Sequence, residues 1–98
     1  MEVVYHAKVR IEDRLKTTVP KFRQALRNAM HNKQVVVVES HEDGKKVIIF
    51  FDPDSPSKLR KCVLAVDDNG KIKIVTVLNP NKMDHAIAYR KQICRKAY

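Results

Sequence analysis

The chain has 98 residues, enough for a single domain, residues 1–98, with one modest core. Hydrophobic residues make up 44% of it, which excludes a disordered chain, and no apolar run approaches the roughly 20 residues that span a bilayer. The N-terminus has neither a basic start nor an apolar signal core, so we expect a cytoplasmic protein without a membrane partner. The net charge of +9 favours a polyanionic partner.

The positive charge is concentrated at the two ends of the sequence. Residues 1–33 hold eight Lys or Arg against three Asp or Glu, and residues 81–98 hold five against one. Residues 34–80 hold seven of each and are neutral. A solubilising surface spreads its charge evenly, whereas a basic stripe is typical of a nucleic-acid site. We therefore expect the two end segments to form one polyanion site.

The first third of the sequence predicts two helices. Ala7, Ile11 and Leu15 recur at four-residue spacing and predict a short helix over 6–15. Threonines followed by Pro20 are typical of a helix start, because threonine caps free amides and proline is tolerated in the first turn. The second helix is predicted to run to about residue 32, with these residues on one buried face: Val19, Phe22, Leu26, Ala29 and Met30.

The middle of the sequence predicts four strands, at residues 35–39, 47–51, 62–66 and 72–78. Two glycine-containing turns, at 42–45 and 68–71, are hairpin signals, and the proline-containing segment 52–57 predicts a loop. Consecutive hairpins predict an antiparallel sheet.

Asn81 is a predicted cap for a last helix over 82–97. The predicted fold class is therefore α+β, in the order α-α-β-β-β-β-α, with the helices packed on one face of the sheet. Cys62 and Cys94 predict two reduced thiols, because so sparse a pair makes no disulfide framework. No two histidines have metal-ligand spacing, and two isolated glycines cannot form a phosphate loop, so we expect neither a metal nor another cofactor.

Three side chains on the first predicted helix combine a proton-transfer group with phosphate ligands. His6, Arg10 and Arg14 are spaced by four and predict a ridge on one face. Histidine moves a proton near neutral pH, and arginine holds a phosphate by two parallel hydrogen bonds. Such a ridge can cleave RNA through its 2′-hydroxyl without metal, although a solvated basic helix face, partly neutralised by Glu12 and Asp13, is the more usual explanation of such a charge run.

The order of these motifs resembles the compact ribonuclease-toxin group that includes barnase, EndoU, colicin and RelE-like folds. The resemblance rests on His6-Ala7-x-x-Arg10 and Arg14, then on Leu64, Val66-Asp67-Asp68-Asn69-Gly70 and Val75-Thr76-Val77. It implies a metal-independent endoribonuclease and a functional hydroxyl at Thr76, where β-propensity is the simpler explanation.

The last predicted helix supplies further candidates. Arg90 falls where its helical spacing predicts an apolar residue, so its charge either serves a ligand beside the first helix or snorkels to water. Tyr89 can offer a hydroxyl or a stacking ring. Lys16, Lys91 and Arg95 are further candidate nucleic-acid contacts.

The sequence leaves three functions open. In the first, a toxin-type endoribonuclease, His6 is the acid/base group, Arg10 and Arg14 stabilise the transition state, and Thr76 and Arg90 complete the pocket. The second is a non-catalytic nucleic-acid-binding module, and the third is an inhibitor that binds an acidic protein. Aromatic residues are only 6% of the chain, so recognition is expected to rest on phosphate and shape, which favours structured RNA.

Overall fold

The computed structural model describes residues 1–94, which form three helices and a five-stranded mixed sheet. The α+β class is therefore confirmed. The helices are α1 (Tyr5–Asp13), α2 (Val19–His31) and α3 (Lys82–Arg90). The strands are β1 (Glu2–Val3), β2 (Val35–Ser40), β3 (Lys45–Phe51), β4 (Leu59–Val66) and β5 (Ile72–Leu78), in the order β1-β5-β4-β3-β2. No helix within residues 1–94 is long and apolar enough to cross a bilayer.

The sheet has one strand more than the sequence predicts. β1 pairs in parallel with β5, placing Glu2 opposite Lys73 and Val3 opposite Ile74, whereas the other pairs are antiparallel. The expectation of four purely antiparallel strands was wrong, because a two-residue strand has no alternation to detect. β1 forms because Val3 is buried in the same core cluster as Ile74.

The helices cover both faces of the sheet, so the expectation of one covered face was wrong. Ile48 and Phe50 pack beneath α1 and α2, whereas Ile49 between them packs against α3. The α1–α2 face is centred on an edge-to-face contact between Phe22 and Phe50, with ring centroids 5.5 Å apart. The second face presents apolar side chains such as Ile49 and Leu59, and α3 buries them.

A β-bulge directs Thr76 to the α3 face. Val63 pairs with Thr76, but Leu64 pairs with Ile74, so β5 carries one extra residue at this point. Leu64 and Ile74 belong to the core beneath α1 and α2. Because neighbouring side chains alternate, Val63 and its partner Thr76 point the other way.

The predicted turns and caps are confirmed. Gly44 and Gly70 have φ values of +86° and +78° in the two hairpin turns, a conformation that favours glycine. The Thr18 hydroxyl accepts a hydrogen bond from the amide of Lys21, 3.3 Å away, and caps α2. Asn81 forms a capping box at the start of α3.

The helices are shorter than predicted. α1 ends at Asp13, and α3 ends at Arg90 instead of continuing to residue 97. After α3 the chain reverses at Gln92, whose φ is +60°, and the Ile93 amide donates to the Ala88 carbonyl at 3.1 Å. The reversal buries Ile93 beside Ala88, which explains why the helix stops. Residues 95–97 of the predicted helix lie outside the described residues.

Candidate nucleic-acid interface

The positive charge of residues 1–33 lies on one layer of the molecule and is not neutralised there. Its eight Lys and Arg sit on α1, α2 and the residues flanking them. Within residues 1–94 none of the eight forms an ion pair, whereas four of the seven cations in residues 34–80 do. We call this set the basic face: Lys8, Arg10, Arg14, Lys16, Lys21, Arg23, Arg27 and Lys33.

The basic face is accessible to a large partner. Six of its eight side chains are exposed, and Arg10 and Arg23 are half-buried. The Arg23 Nε is buried without a hydrogen-bond partner among the described residues. Glu12 and Asp13 are the exposed carboxylates of α1 and offset part of the charge. The remaining excess repels cations and attracts a polyanion.

The basic face opens into a cleft at the end of the sheet. Two adjoining depressions, of about 430 Å³ and 210 Å³, lie between the α1–α2 link and the loop that joins β3 to β4. Both are lined by Leu15, Pro56 and Arg60, so they form one depression, the Arg60 cleft. Its charged lining residues are four cations and two carboxylates: Arg14, Lys16, Lys21, Arg60, Asp52 and Asp54. The balance favours an anionic ligand.

Arg60 is the fixed part of this cleft. Its residue exposure is only 7%, and its Nε donates to the Asp52 Oδ2 at 3.0 Å. Arg60 pairs with Phe50 in the sheet, so its side chain rises on the face covered by α1 and α2. Among residues 1–94 the guanidinium makes no other hydrogen bond, which leaves Nη1 and Nη2 for a ligand. A planar guanidinium held by one edge suits bidentate binding of phosphate.

The wall of the cleft is a loop stiffened by its own hydrogen bonds. The Asp52 Oδ1 accepts from the Asp54 amide at 3.0 Å, and the Asp52 amide donates to the Lys58 carbonyl at 3.0 Å. The buried Ser55 hydroxyl donates to the Leu59 carbonyl at 2.8 Å. Both oxygens of Asp52 are therefore engaged, and the loop holds Arg60 in place before any ligand arrives.

The opposite wall, the α1–α2 link, is also fixed by backbone geometry. Lys16 has a φ of +54°, and the Thr17 amide donates to the Ile11 carbonyl at 3.4 Å. The positive φ of Lys16 is a conformation that favours glycine, and the bond from Thr17 back to Ile11 ties the link to the end of α1. The turn places Lys16 beside Thr17 and Lys21 in the lining of the cleft.

The structure brings some of the sequence-predicted site residues together. Arg10 and Arg14 line a notch of about 90 Å³ with Leu78, next to the Arg60 cleft. Arg14 and Lys16 line the cleft itself. His6 is exposed at the other end of α1, eight residues before Arg14, which is about 12 Å along a helix axis.

The other predicted site residues lie on the far side of the sheet. Thr76 points to the α3 face, and its Oγ1 is buried without a hydrogen-bond partner among the described residues. Tyr89, Arg90 and Lys91 are exposed on α3 or just after it. Arg95 lies outside the described residues.

These positions correct two expectations. Arg90 does not lie beside the first helix, because α3 covers the opposite face, where it buries Asp84 and Ala88 and leaves Arg90 exposed. For the same reason, the two basic end segments do not form one continuous site in the described residues.

Sequence reasoning missed the Arg60 cleft. The sequence predicts that Asp52 lies in a loop, and it does. Its ion pair with Arg60 could not be predicted, because that pair depends on the sheet register. Lys21 is not singled out, because the periodicity of the second helix identifies only its buried face. A hint was available: Arg60 lies next to a strand pattern, where an isolated arginine must find a partner or a ligand.

The two thiols offer no nucleophile. Burial raises the pKa of Cys62 to about 12, and burial also raises the pKa of Cys94. Both thiols are therefore protonated at neutral pH. Within residues 1–94 no three His, Cys, Asp or Glu side chains cluster as metal ligands.

Comparison of the chain with protein-family models, with curated proteins and with solved structures finds no match.

Proposed function

We propose that this protein binds nucleic acid, with RNA preferred, along its basic face, and that one phosphate occupies the Arg60 cleft. The observation that carries the proposal is the contrast in charge pairing. The cations of the sheet region largely pair with carboxylates, whereas the eight of the basic face have no ion-pair partner within residues 1–94. Unpaired cations gathered on one layer are the electrostatic footprint of a phosphate backbone.

The Arg60 cleft adds a defined contact to this general attraction. Asp52 holds the Nε edge of Arg60, so the Nη groups need no reorganisation to bind two phosphate oxygens. Lys16, Lys21 and Arg14 surround the same space and supply the further charge that a phosphate dianion or diester requires. Contacts to phosphate fix the position of the nucleic acid but read no bases, which agrees with the shortage of aromatic residues.

Binding without cleavage is better supported than toxin-type endoribonuclease activity. The catalytic hypothesis needs His6, Arg10, Thr76 and Arg90 around one phosphodiester. In the structure His6 and Arg10 lie on α1, whereas Thr76 and Arg90 belong to the opposite face of the sheet. Of these four residues, only His6 and Arg10 lie on the same face of the sheet as the basic face, so only they can act together there.

The test compares two triple variants in the binding of a fluorescent RNA measured by anisotropy. The logarithm of the association constant falls as the logarithm of the salt concentration rises, and each phosphate contact contributes about 0.7 to 0.9 to the steepness of that fall. Removing Arg14, Lys16 and Lys21 (R14A/K16A/K21A) should therefore make the slope shallower by about two. The matched control K46A/K71A/K82A removes the same charge from exposed lysines elsewhere and should change the slope much less.

Two further measurements separate the alternatives. Arg60→Lys keeps the charge but loses the planar fork, so affinity should fall by about ten-fold while the salt slope stays nearly constant. Incubation of the RNA with protein in EDTA, followed by a gel, should show intact RNA. Equal losses from both triple variants would mean general charge attraction, and absence of RNA binding at low salt would favour an acidic protein partner.

A further inference from the structure

The outer edge of β2 has hydrogen-bonding groups with no backbone partner in the described residues. β2 is the last strand of the sheet and pairs only with β3. The Phe51 amide donates to the Gln34 carbonyl at 3.1 Å, so this carbonyl points towards β3, whereas the Gln34 amide donates to the Ala29 carbonyl of α2. Because this direction alternates along an antiparallel strand, Val35 and Val37 direct their N–H and C=O groups outwards. No backbone bond outside the sheet ladder uses them within residues 1–94.

The first half of this edge, residues 35–37, lacks the features that normally prevent strand pairing. Natural edge strands carry lysine or proline, or are very short, as β1 is at the other edge. β2 has four consecutive valines and neither lysine nor proline. Val37 is 49% exposed, although it is paired with the core residue Ile48. A bulge at Val38 limits the regular part of the edge to about residues 35–37.

We propose that β2 docks antiparallel against β2 of a second copy of this chain, joining the two sheets into one. The register follows from the two outward-directed residues. Val35 of one copy faces Val37 of the second copy, and the reverse, so four backbone hydrogen bonds form around a two-fold axis at Val36. If one strand shifts by two residues, a single outward-directed residue pairs with the same residue of the second copy on the axis. Only two backbone hydrogen bonds then form instead of four. The register centred on Val36 therefore forms the most backbone hydrogen bonds.

Charge at the two ends of the edge supports a second copy as the occupant. The register brings Glu39 of each copy to the end of β2 that carries Lys33 in the other copy. Both side chains are exposed. Lys33 forms no ion pair in residues 1–94, and the one ionic contact of Glu39 is His41 at 3.9 Å. Two symmetry-related Lys–Glu pairs thus close the interface on both sides.

The test exchanges these charges, in the absence of nucleic acid, so it does not depend on the proposed function. Lys33→Glu gives a chain with two acidic ends and Glu39→Lys gives a chain with two basic ends, so each variant repels itself. Sedimentation velocity should show dimer for the wild type in a concentration series that reaches the millimolar range. Each variant alone should dimerise at least about ten-fold more weakly, because two attractive pairs become repulsive.

Mixing the variants gives the decisive result. An equimolar mixture of K33E and E39K restores both Lys–Glu pairs in a heterodimer, so dimer should reappear on mixing. Restoration also shows that both variants are folded. As matched controls, K71E and E42K change exposed charges outside β2 and should neither dissociate the wild-type dimer nor depend on mixing.

One further variant tests the backbone contacts. Val37→Pro removes an outward-directed N–H, which an edge strand tolerates, and should leave a folded monomer by circular dichroism and sedimentation. The proposal is overturned if the wild type remains monomeric throughout the series. It is also overturned if a wild-type dimer is unaffected by K33E and E39K, because another surface would then form the contact.

Discussion

The buried pair between Asp52 and Arg60 should be strongly coupled in stability. The Nε–Oδ2 distance is 3.0 Å, and the two side chains are only 6% and 8% exposed, so solvent screens the attraction little. Asp52→Asn leaves the guanidinium buried without its counter-charge, and Arg60→Met leaves the carboxylate. Each single change should lower the free energy of unfolding by about 3 kcal/mol, the usual cost of breaking a buried pair.

The double variant D52N/R60M should be more stable than the sum of the single changes predicts. It strands no charge, and the side-chain amide that replaces the Asp52 carboxylate can still accept from the Asp54 backbone amide. We expect a coupling energy of about 2 kcal/mol, at the upper part of the range for directly contacting residues. Each single variant should melt roughly 15 °C below the wild type, from about 4–8 °C per kcal/mol for a domain of this size.

Urea unfolding followed by circular dichroism measures all four proteins of the cycle. Asp43→Asn is the matched control, since its partner Lys45 lies 3.5 Å away but both side chains are about half exposed to solvent. That change should leave the free energy of unfolding nearly unaltered. If the Asp52 and Arg60 changes are additive within about 0.5 kcal/mol, the pair is not coupled and does not hold the cleft in place.

Two other side chains give simple tests of burial. Thr76→Val keeps the shape of Thr76 and removes a buried hydroxyl that has no described hydrogen-bond partner. Thermal unfolding should therefore show that the free energy of unfolding rises by about 1 kcal/mol. A clear fall would mean that the hydroxyl is hydrogen-bonded. Burial raises the pKa of Cys62 to about 12 from an ordinary 9.0, so the unfolded chain loses this proton first as the pH rises. Stability should therefore fall by about 1 kcal/mol from about pH 8 to about pH 10, and Cys62→Ala should show a loss smaller by that amount in urea titrations. An identical pH dependence in the variant would contradict this.

The sequence predicts those parts of the fold whose signals are local. The turns at Gly44 and Gly70 and the caps at Thr18 and Asn81 depend on residues a few positions apart, and all four are confirmed. The predicted end of α3 was wrong because the chain leaves the helix at Gln92, which has a left-handed backbone conformation. Glycine is the usual sequence signal for that conformation, and Gln92 does not provide it. A non-glycine residue takes that conformation here because the next side chain along the chain becomes buried, and periodicity does not reveal such burial.

The candidate site is harder to predict than the fold, because it depends on which face of the sheet each element covers. The interval of four residues groups Arg10 with Arg14, which follows the last residue of α1, and both line the same notch. It carries no information on Arg90, since a helix after β5 can pack on either face. Arg60 and Lys21 line the same cleft only after the sheet register and the α1–α2 link have formed. Residues so far apart in sequence can be placed side by side only from the three-dimensional structure.

The parallel pairing of β1 with β5 has a consequence for the order of folding. The strands β3, β4 and β5 follow one another through connections of seven and five residues, so their contacts close small loops at low entropic cost. Glu2, in contrast, pairs with Lys73 near the other end of the sequence. Contacts of such separation form late and open first, so amide exchange should be faster in β1 and α1 than in β4. The part of the basic face that α1 carries thus follows the least local pairing of the sheet, and we expect β1 and α1 to open while α2 and the hairpins remain folded.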